Sequence, residues 1–231
     1  MNKKTTPENL QIAYEDNHII AVNKRPGDIV QGDKTGDMPL SEIVKQYLKT
    51  KYNKPGNVFL GVVHRIDRPT GGVVLFARTS KALTRLNKML KDRQIKKTYW
   101  AIVKNKPPQD AGTLIHFLVK NPRTNKSTAY DQPVKDAKKA VLHYRVIGSS
   151  DKYHLLEINL ETGRPHQIRV QLAKIGSPIK GDLKYGFSRS NPNGGISLHA
   201  RQIDLIHPVK KEPLQIIAPP PAGDIWEHFS I

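Results

Sequence analysis

The chain has no cysteine, which removes disulfides, thiolate metal centres and a cysteine nucleophile from consideration. Acidic residues are scarce. Only 20 Asp and Glu stand against 38 Lys and Arg, a formal charge of +18, and such an excess favours a polyanionic partner. Nucleic acid ranks before membrane, because no basic amphipathic helix stands out. The stretch Met1-Asn2-Lys3-Lys4-Thr5-Thr6-Pro7-Glu8 has no apolar signal core, and no apolar run approaches membrane-spanning length. Cytoplasmic residence with no membrane partner, as a monomer, is the default reading. Repeats and low-complexity linkers are also missing, so the expectation is one domain over residues 1–231.

What is present is a set of short apolar runs. Residues 12–14 and 18–23 read as strands separated by an Asp16-Asn17 turn, and Lys24-Arg25-Pro26-Gly27 closes the second. Leu40, Ile43, Val44, Tyr47 and Leu48 recur at helical spacing, which predicts a helix over 41–48. Residues 58–63 and 73–77 read as two strands. Thr79-Ser80 then caps a helix whose apolar face is Leu83, Leu86 and Leu90. Residues 96–103, 114–119, 140–147 and 153–160 add strands. A third helix is expected to begin at Thr162-Gly163-Arg164-Pro165, with Pro165 in its first turn, and to stop at Gly176. Residues 196–206 and 214–217 read as strands around a His207-Pro208 turn. Residues 104–110 and 121–139 are polar, rich in Pro and Lys, and read as loops. Strands outnumber helices without regular alternation, so the expected class is α+β, with a mixed, largely antiparallel sheet and helices packed on it.

Between two of these strands lies His64-Arg65-Ile66-Asp67-Arg68-Pro69-Thr70-Gly71-Gly72, one carboxylate boxed by two arginines and followed by a Pro and two glycines. Paired strands on either side would hold Asp67 still, as a catalytic group requires, and the arginines would favour its ionised form and grip a phosphate. A surface ion pair beside a turn is the plainer reading of the segment alone. Two other segments add to it. Lys96-Lys97-Thr98-Tyr99-Trp100-Ala101 places a tyrosine on a strand after a basic patch. The stretch Glu161-Thr162-Gly163-Arg164-Pro165-His166-Gln167-Ile168-Arg169-Val170 puts Arg169 beside the expected stripe of Ile168, Leu172 and Ile175. A charge at the border of a core needs a partner, and Asp67 is a reasonable one. Taken singly, Tyr99 reads as a core aromatic, Arg169 as a surface cation, Asp182 as a turn residue and His199 as a satisfied strand histidine. His166 reads as a structural or phosphate contact. Lys120, Arg123 and Lys126 form an exposed basic group, which fits either a solvated loop or an RNA-phosphate contact.

The 64–72 segment resembles the signature loop of the RluA-type pseudouridine synthases, which usually read Leu for Ile66 and Ser for Gly71. Lys97-Thr98-Tyr99-Trp100-Ala101 is similar to that family's second motif and residues 162–170 to its third. Gly181-Asp182-Leu183-Lys184-Tyr185-Gly186 and Leu198-His199-Ala200 follow in the family's order. The likeness runs from about residue 12 to residue 219. It implies an isomerase that converts uridine to pseudouridine in ribosomal or transfer RNA without cofactor or metal. Carried over residue by residue, it makes Asp67 the catalytic carboxylate, Tyr99 the ring packed on the uracil and a candidate aid to proton removal, and Arg169 the ion-pair partner that orients Asp67. Arg65 would fill the stack when the target base leaves it, with Arg68, Lys97, Arg164, His166, Arg123 and Lys126 as further RNA contacts. Gly71 removes a hydroxyl from the turn. The chain begins almost at its first strand, so the small RNA-binding domain many members carry in front is expected to be absent.

Two other classes compete. A metal-dependent phosphoesterase would use His64, Asp67, His166 and His199, although no pair has familiar ligand spacing. A non-catalytic RNA-binding module would explain the charge, but not a carboxylate set among arginines, and stacking aromatics of RNA-recognition sheets are missing.

Overall fold

In the computed structural model, which describes residues 4–33 and 35–229, eleven strands and three α-helices follow along the chain. The first are β1 (Ile12–Glu15), β2 (Ile19–Lys24), α1 (Leu40–Lys51), β3 (Gly61–Val62), β4 (Gly71–Ala77), α2 (Ser80–Lys91) and β5 (Lys96–Val103). Then come β6 (Ala111–Asn121), β7 (Lys126–Tyr130), β8 (Lys138–Ser149), β9 (His154–Leu160), α3 (Gln167–Lys174), β10 (Leu198–Ile206) and β11 (Pro213–Ile217). The class is α+β, as expected. Residue contacts divide the chain into two compact units, Met1–Lys97 with Ala200–Pro220, and Thr98–His199 with Pro221–Ile231.

In the first unit β4 is the centre, paired with β2, β3 and β10, while β1 extends β2 and β11 extends β10. Its seven residues are all buried, as are Ile19 to Val22 of β2. Such unbroken apolar runs mean that both sheet faces are covered. Ile19, Ala21, Val73, Leu75 and Ala77 pack with Ala82 and Leu86 of α2. The alternate residues Ile20, Val22, Val74 and Phe76 pack with Leu40, Val44 and Leu48 of α1. Thr79 caps α2 by accepting the Ala82 amide, as the sequence predicted.

The second unit is an antiparallel run in the order β5-β9-β8-β6-β7. Leu118, Ala129, Ala140, Val170 and Tyr185 make one core cluster. Trp100, Ile102, Leu155, Trp226 and Phe229 make another.

Three sequence expectations need correction. The strand expected over 58–63 pairs only at Gly61–Val62; Val58 and Leu60 pack on the core around α1 without joining a ladder. The loop expected over 121–139 contains β7, paired with β6 from Phe117↔Tyr130 to Asn121↔Lys126. Its inward residues are the small Ser127 and Ala129, so the burial alternation carried no hydrophobic signal. Helix α3 starts at Gln167, because His166 adopts a left-handed backbone (φ 54°) that helix geometry does not allow. Pro165 therefore precedes the helix. Among the described residues, no helix is long and apolar enough to cross a membrane.

Candidate active site

The Asp67 loop belongs to the first unit and leaves the sheet where β3 ends. Gly61 pairs with Ala77 and Val62 with Phe76; the next free amide on β4, that of Leu75, donates to the His64 ring instead of to a backbone carbonyl. His64 Nε2 thus ends the ladder at 3.1 Å and fixes the point of departure. Downstream, the Thr70 amide closes a turn onto the Asp67 carbonyl at 3.0 Å. The Arg68 carbonyl accepts twice, from the Gly27 amide at 2.8 Å and from Lys24 Nζ at 3.0 Å. Gly72 then enters β4 with φ +112°, and a Cβ there would lie 2.3 Å from the Ala200 carbonyl oxygen, so no other residue fits.

Lys24 is the unforeseen member of this loop. Its side chain is 1% exposed, and Nζ donates to three carbonyls, those of Arg25, Asp28 and Arg68. Burial pulls its pKa down to about 7, while the charges of Asp28 and Asp67 oppose that fall and Arg68 adds to it. An ammonium has three donors and meets three acceptors here, which ties the end of β2 to the residue following Asp67.

His64 is held neutral by the same main cause. Burial first, and then the Lys97 charge, lower its pKa from 6.5 to about 3. The unfolded chain therefore binds the extra proton between these values, so this group's stabilisation is complete above about 6.5 and is lost as pH falls toward about 3. Acidification should lower the melting temperature of the parent more than that of His64→Gln, whose amide oxygen accepts the Leu75 amide without titrating. Equal pH dependence in both proteins would show that His64 is not the group responsible.

The second unit carries Tyr99 and Arg169. Tyr99 is buried on β5 opposite Ile158 of β9. Arg169 forms a two-pronged ion pair with Asp182: Nε donates to Oδ2 at 2.7 Å and Nη2 to Oδ1 at 2.8 Å. Both side chains are almost wholly buried. The guanidinium lies over the Tyr185 ring, 5.0 Å from its centroid. The Tyr185 hydroxyl accepts the Ser127 amide at 2.8 Å and lies 2.8 Å from His166 Nδ1, which links β7 to the residue before α3. Burial raises the Tyr185 pKa. Gln167 organises the preceding turn: its carbonyl oxygen accepts from the Arg164 amide and the Thr162 hydroxyl, and its amide donates to the Val141 carbonyl.

Of the residues expected from sequence, Arg65, Asp67, Arg68 and Lys97 fall in the first unit. Tyr99, Arg123, Lys126, Arg164, His166 and Arg169 fall in the second. Arg65 is exposed and makes no hydrogen bond or ion pair among the described residues. Arg68 reaches Asp37 at 2.6 Å in a half-exposed ion pair. Arg123 sits at the exposed tip of the β6–β7 hairpin, and Lys126 on β7 lies over the Tyr185 ring. Asp182, read from sequence as a turn residue, is both a turn residue and the partner of Arg169. Lys24 reads from sequence only as the close of a strand, and His64 and Tyr185 lie inside quoted motifs, His64 also as a candidate metal ligand, with no sign there of the contacts they make. Among the described residues, no three His, Asp or Glu side chains gather as a metal-binding set.

A profile of the RNA pseudouridylate synthase family matches residues 18–174, and the chain belongs to that family. It is 35% identical to ribosomal large subunit pseudouridine synthase D of Xylella fastidiosa, a match covering 92% of this chain and 66% of that protein. It is 31% identical to tRNA pseudouridine synthase C of Pectobacterium carotovorum, over 90% of this chain and 58% of that one. The chain thus spans just under two thirds of the first relative and less of the second. Its fold matches human RNA pseudouridylate synthase domain containing 4 with a TM-score of 0.76, at 24% identity, over 92% of this chain and 89% of the other.

Proposed function

We propose that this chain isomerises specific uridines of ribosomal or transfer RNA to pseudouridine in the cytoplasm. The bond from ribose C1′ to uracil N1 breaks, the base turns in place, and a bond from C1′ to C5 forms while the C5 proton passes to water and N1 takes up a proton from water. Atoms and electrons balance within the nucleotide, so the reaction calls for no cofactor. Asp67 is the catalytic carboxylate, Tyr99 the platform for the uracil and Arg169 the cation that orients Asp67. The observation that carries the reading is the fixation of the Asp67 loop in a chain of this family: its backbone is held by His64 on one side and by Lys24, Gly27 and Thr70 on the other. A carboxylate fixed in this way meets the geometric demand of a group acting at one ribose carbon.

The target base must leave its stack, at a cost of a few kcal/mol, and the exposed Arg65 supplies the side chain that fills the gap. Affinity comes from the basic surface, with Arg68, Lys97, Arg164, His166, Arg123 and Lys126 as contacts. Each phosphate contact on a single strand contributes about 0.7 to the slope of log affinity against log salt. Arg123→Ala with Lys126→Ala should therefore make that slope shallower by roughly 1.4. An unchanged slope would remove the hairpin from the binding surface.

Pseudouridine mapping in ribosomal and transfer RNA, with and without the gene, tests the function. At least one site should vanish on deletion and return with the parent gene but not with Asp67→Asn. Identical maps would contradict the proposal.

A further inference from the structure

Cations that are buried or nearly so are matched by acceptors elsewhere in the chain. Lys24 has three carbonyls, Arg78 has Glu15 at 3.2 Å, and Arg169 has Asp182. Lys97 is the exception. It is partly buried at the start of β5, burial lowers its pKa, and among the described residues its ammonium makes no hydrogen bond or ion pair. A desolvated cation without a counter-charge is costly, and that cost is recovered when an anion arrives.

A second donor lies close by. Because His64 Nε2 accepts the Leu75 amide, the ring proton must sit on Nδ1, a tautomer imposed by the backbone. Nδ1–H has no acceptor among the described residues. Lys97 is near enough for its charge to disfavour protonation of the ring. The result is a cation within electrostatic reach of a neutral ring whose remaining nitrogen can only donate, and among the described residues no carboxylate pairs with Lys97. Such a pair suits an oxyanion and rejects a cation.

We propose that Lys97 Nζ and His64 Nδ1–H together hold a phosphodiester of the RNA strand beside the target uridine. The proposal rests on the isomerase reading for its ligand. The uracil base is neutral, and the anion that every nucleotide of the strand presents is the phosphodiester, whose two non-bridging oxygens accept from two donors at once. His64 precedes Asp67 by three residues, a chain length of at most about 10 Å, so a phosphate held there belongs to the target nucleotide or its neighbour when a ribose lies at Asp67.

The probe is the uridine hexanucleotide, compared with the same hexamer carrying neutral methylphosphonate links. Nitrogen NMR should show the His64 Nδ1 signal moving when the phosphodiester hexamer is added to the parent and staying still with the methylphosphonate hexamer. Lys97→Met should bind the phosphodiester hexamer about tenfold more weakly, and its salt slope should fall by about 0.7, the value for one contact. Lys97→Arg keeps the charge and should retain most of the affinity, which guards against a loss caused by misfolding. An unmoved Nδ1 signal in the saturated parent, or a salt slope identical in Lys97→Met and the parent, would overturn the proposal. These readouts are independent of turnover. A parent protein that binds in this way but modifies no RNA would refute the isomerase reading and leave the phosphate site standing.

Discussion

Asp67→Asn should lower turnover by at least about 10³-fold, roughly 4 kcal/mol of barrier, while RNA affinity stays within a few-fold of the parent. The substitution keeps size and shape and removes only the charge. The loop contacts made through the Asp67 and Arg68 carbonyls and the Leu75 amide do not use the Asp67 carboxylate, so they persist in the variant. The charge on Asp67 is one of those that oppose the fall of the Lys24 pKa. Losing it makes Lys24 easier to deprotonate, but leaves its three carbonyl acceptors in place. Single-turnover rates and direct binding, measured on the same RNA, separate the two effects. A variant that turns over at the parent rate would remove Asp67 from the chemistry. One that no longer binds would make Asp67 an element of the binding surface.

The second large effect concerns stability. Asp182→Ala leaves the Arg169 guanidinium buried without its two-pronged partner, a change that costs about 3–5 kcal/mol. At about 2–4 °C per kcal/mol for a chain of this size, the melting temperature should fall by roughly 10 °C. Replacing both partners, Arg169→Met with Asp182→Leu, should recover much of that loss, because neither member of this pair is then left buried without the other. Turnover should not recover, since the cation assigned to orient Asp67 is gone. Thermal melting set beside turnover distinguishes a structural pair from a functional one. Full activity in the double variant would assign Arg169 to the fold alone.

The parts of the fold legible from sequence are those in which apolar residues carry the pattern. β2 and β4 announce themselves by unbroken buried runs, and α2 by Thr79 followed by Leu83, Leu86 and Leu90. β7 was hidden because its inward side chains are Ser127 and Ala129, and its outward ones include a lysine. The start of α3 was misplaced because Gly163 and Pro165 look like a helix entrance. The local turn is instead set by Gln167 reaching back to Arg164 and Thr162, which no spacing rule reveals.

The candidate residues divide in the same way. Asp67, Tyr99 and Arg169, proposed for the chemistry, are each legible because they lie in compact motifs. Lys24 lies 44 residues from the carbonyl of Arg68 and reads as the end of a strand. Tyr185 lies 58 residues from the Ser127 amide it accepts. Contacts of that range depend on the fold and leave no local trace.

The most direct test of the central claim follows the C5 hydrogen of uracil. Making pseudouridine replaces that hydrogen with the glycosidic bond, so RNA tritiated at uracil C5 must lose label to water as the reaction proceeds. Cellular ribosomal and transfer RNA labelled in this way should release tritium when incubated with the parent protein, with a chelator present and no cofactor added. Asp67→Asn should release none above background. Absence of release from both RNAs with the parent, or full release by the Asn variant, would contradict the account.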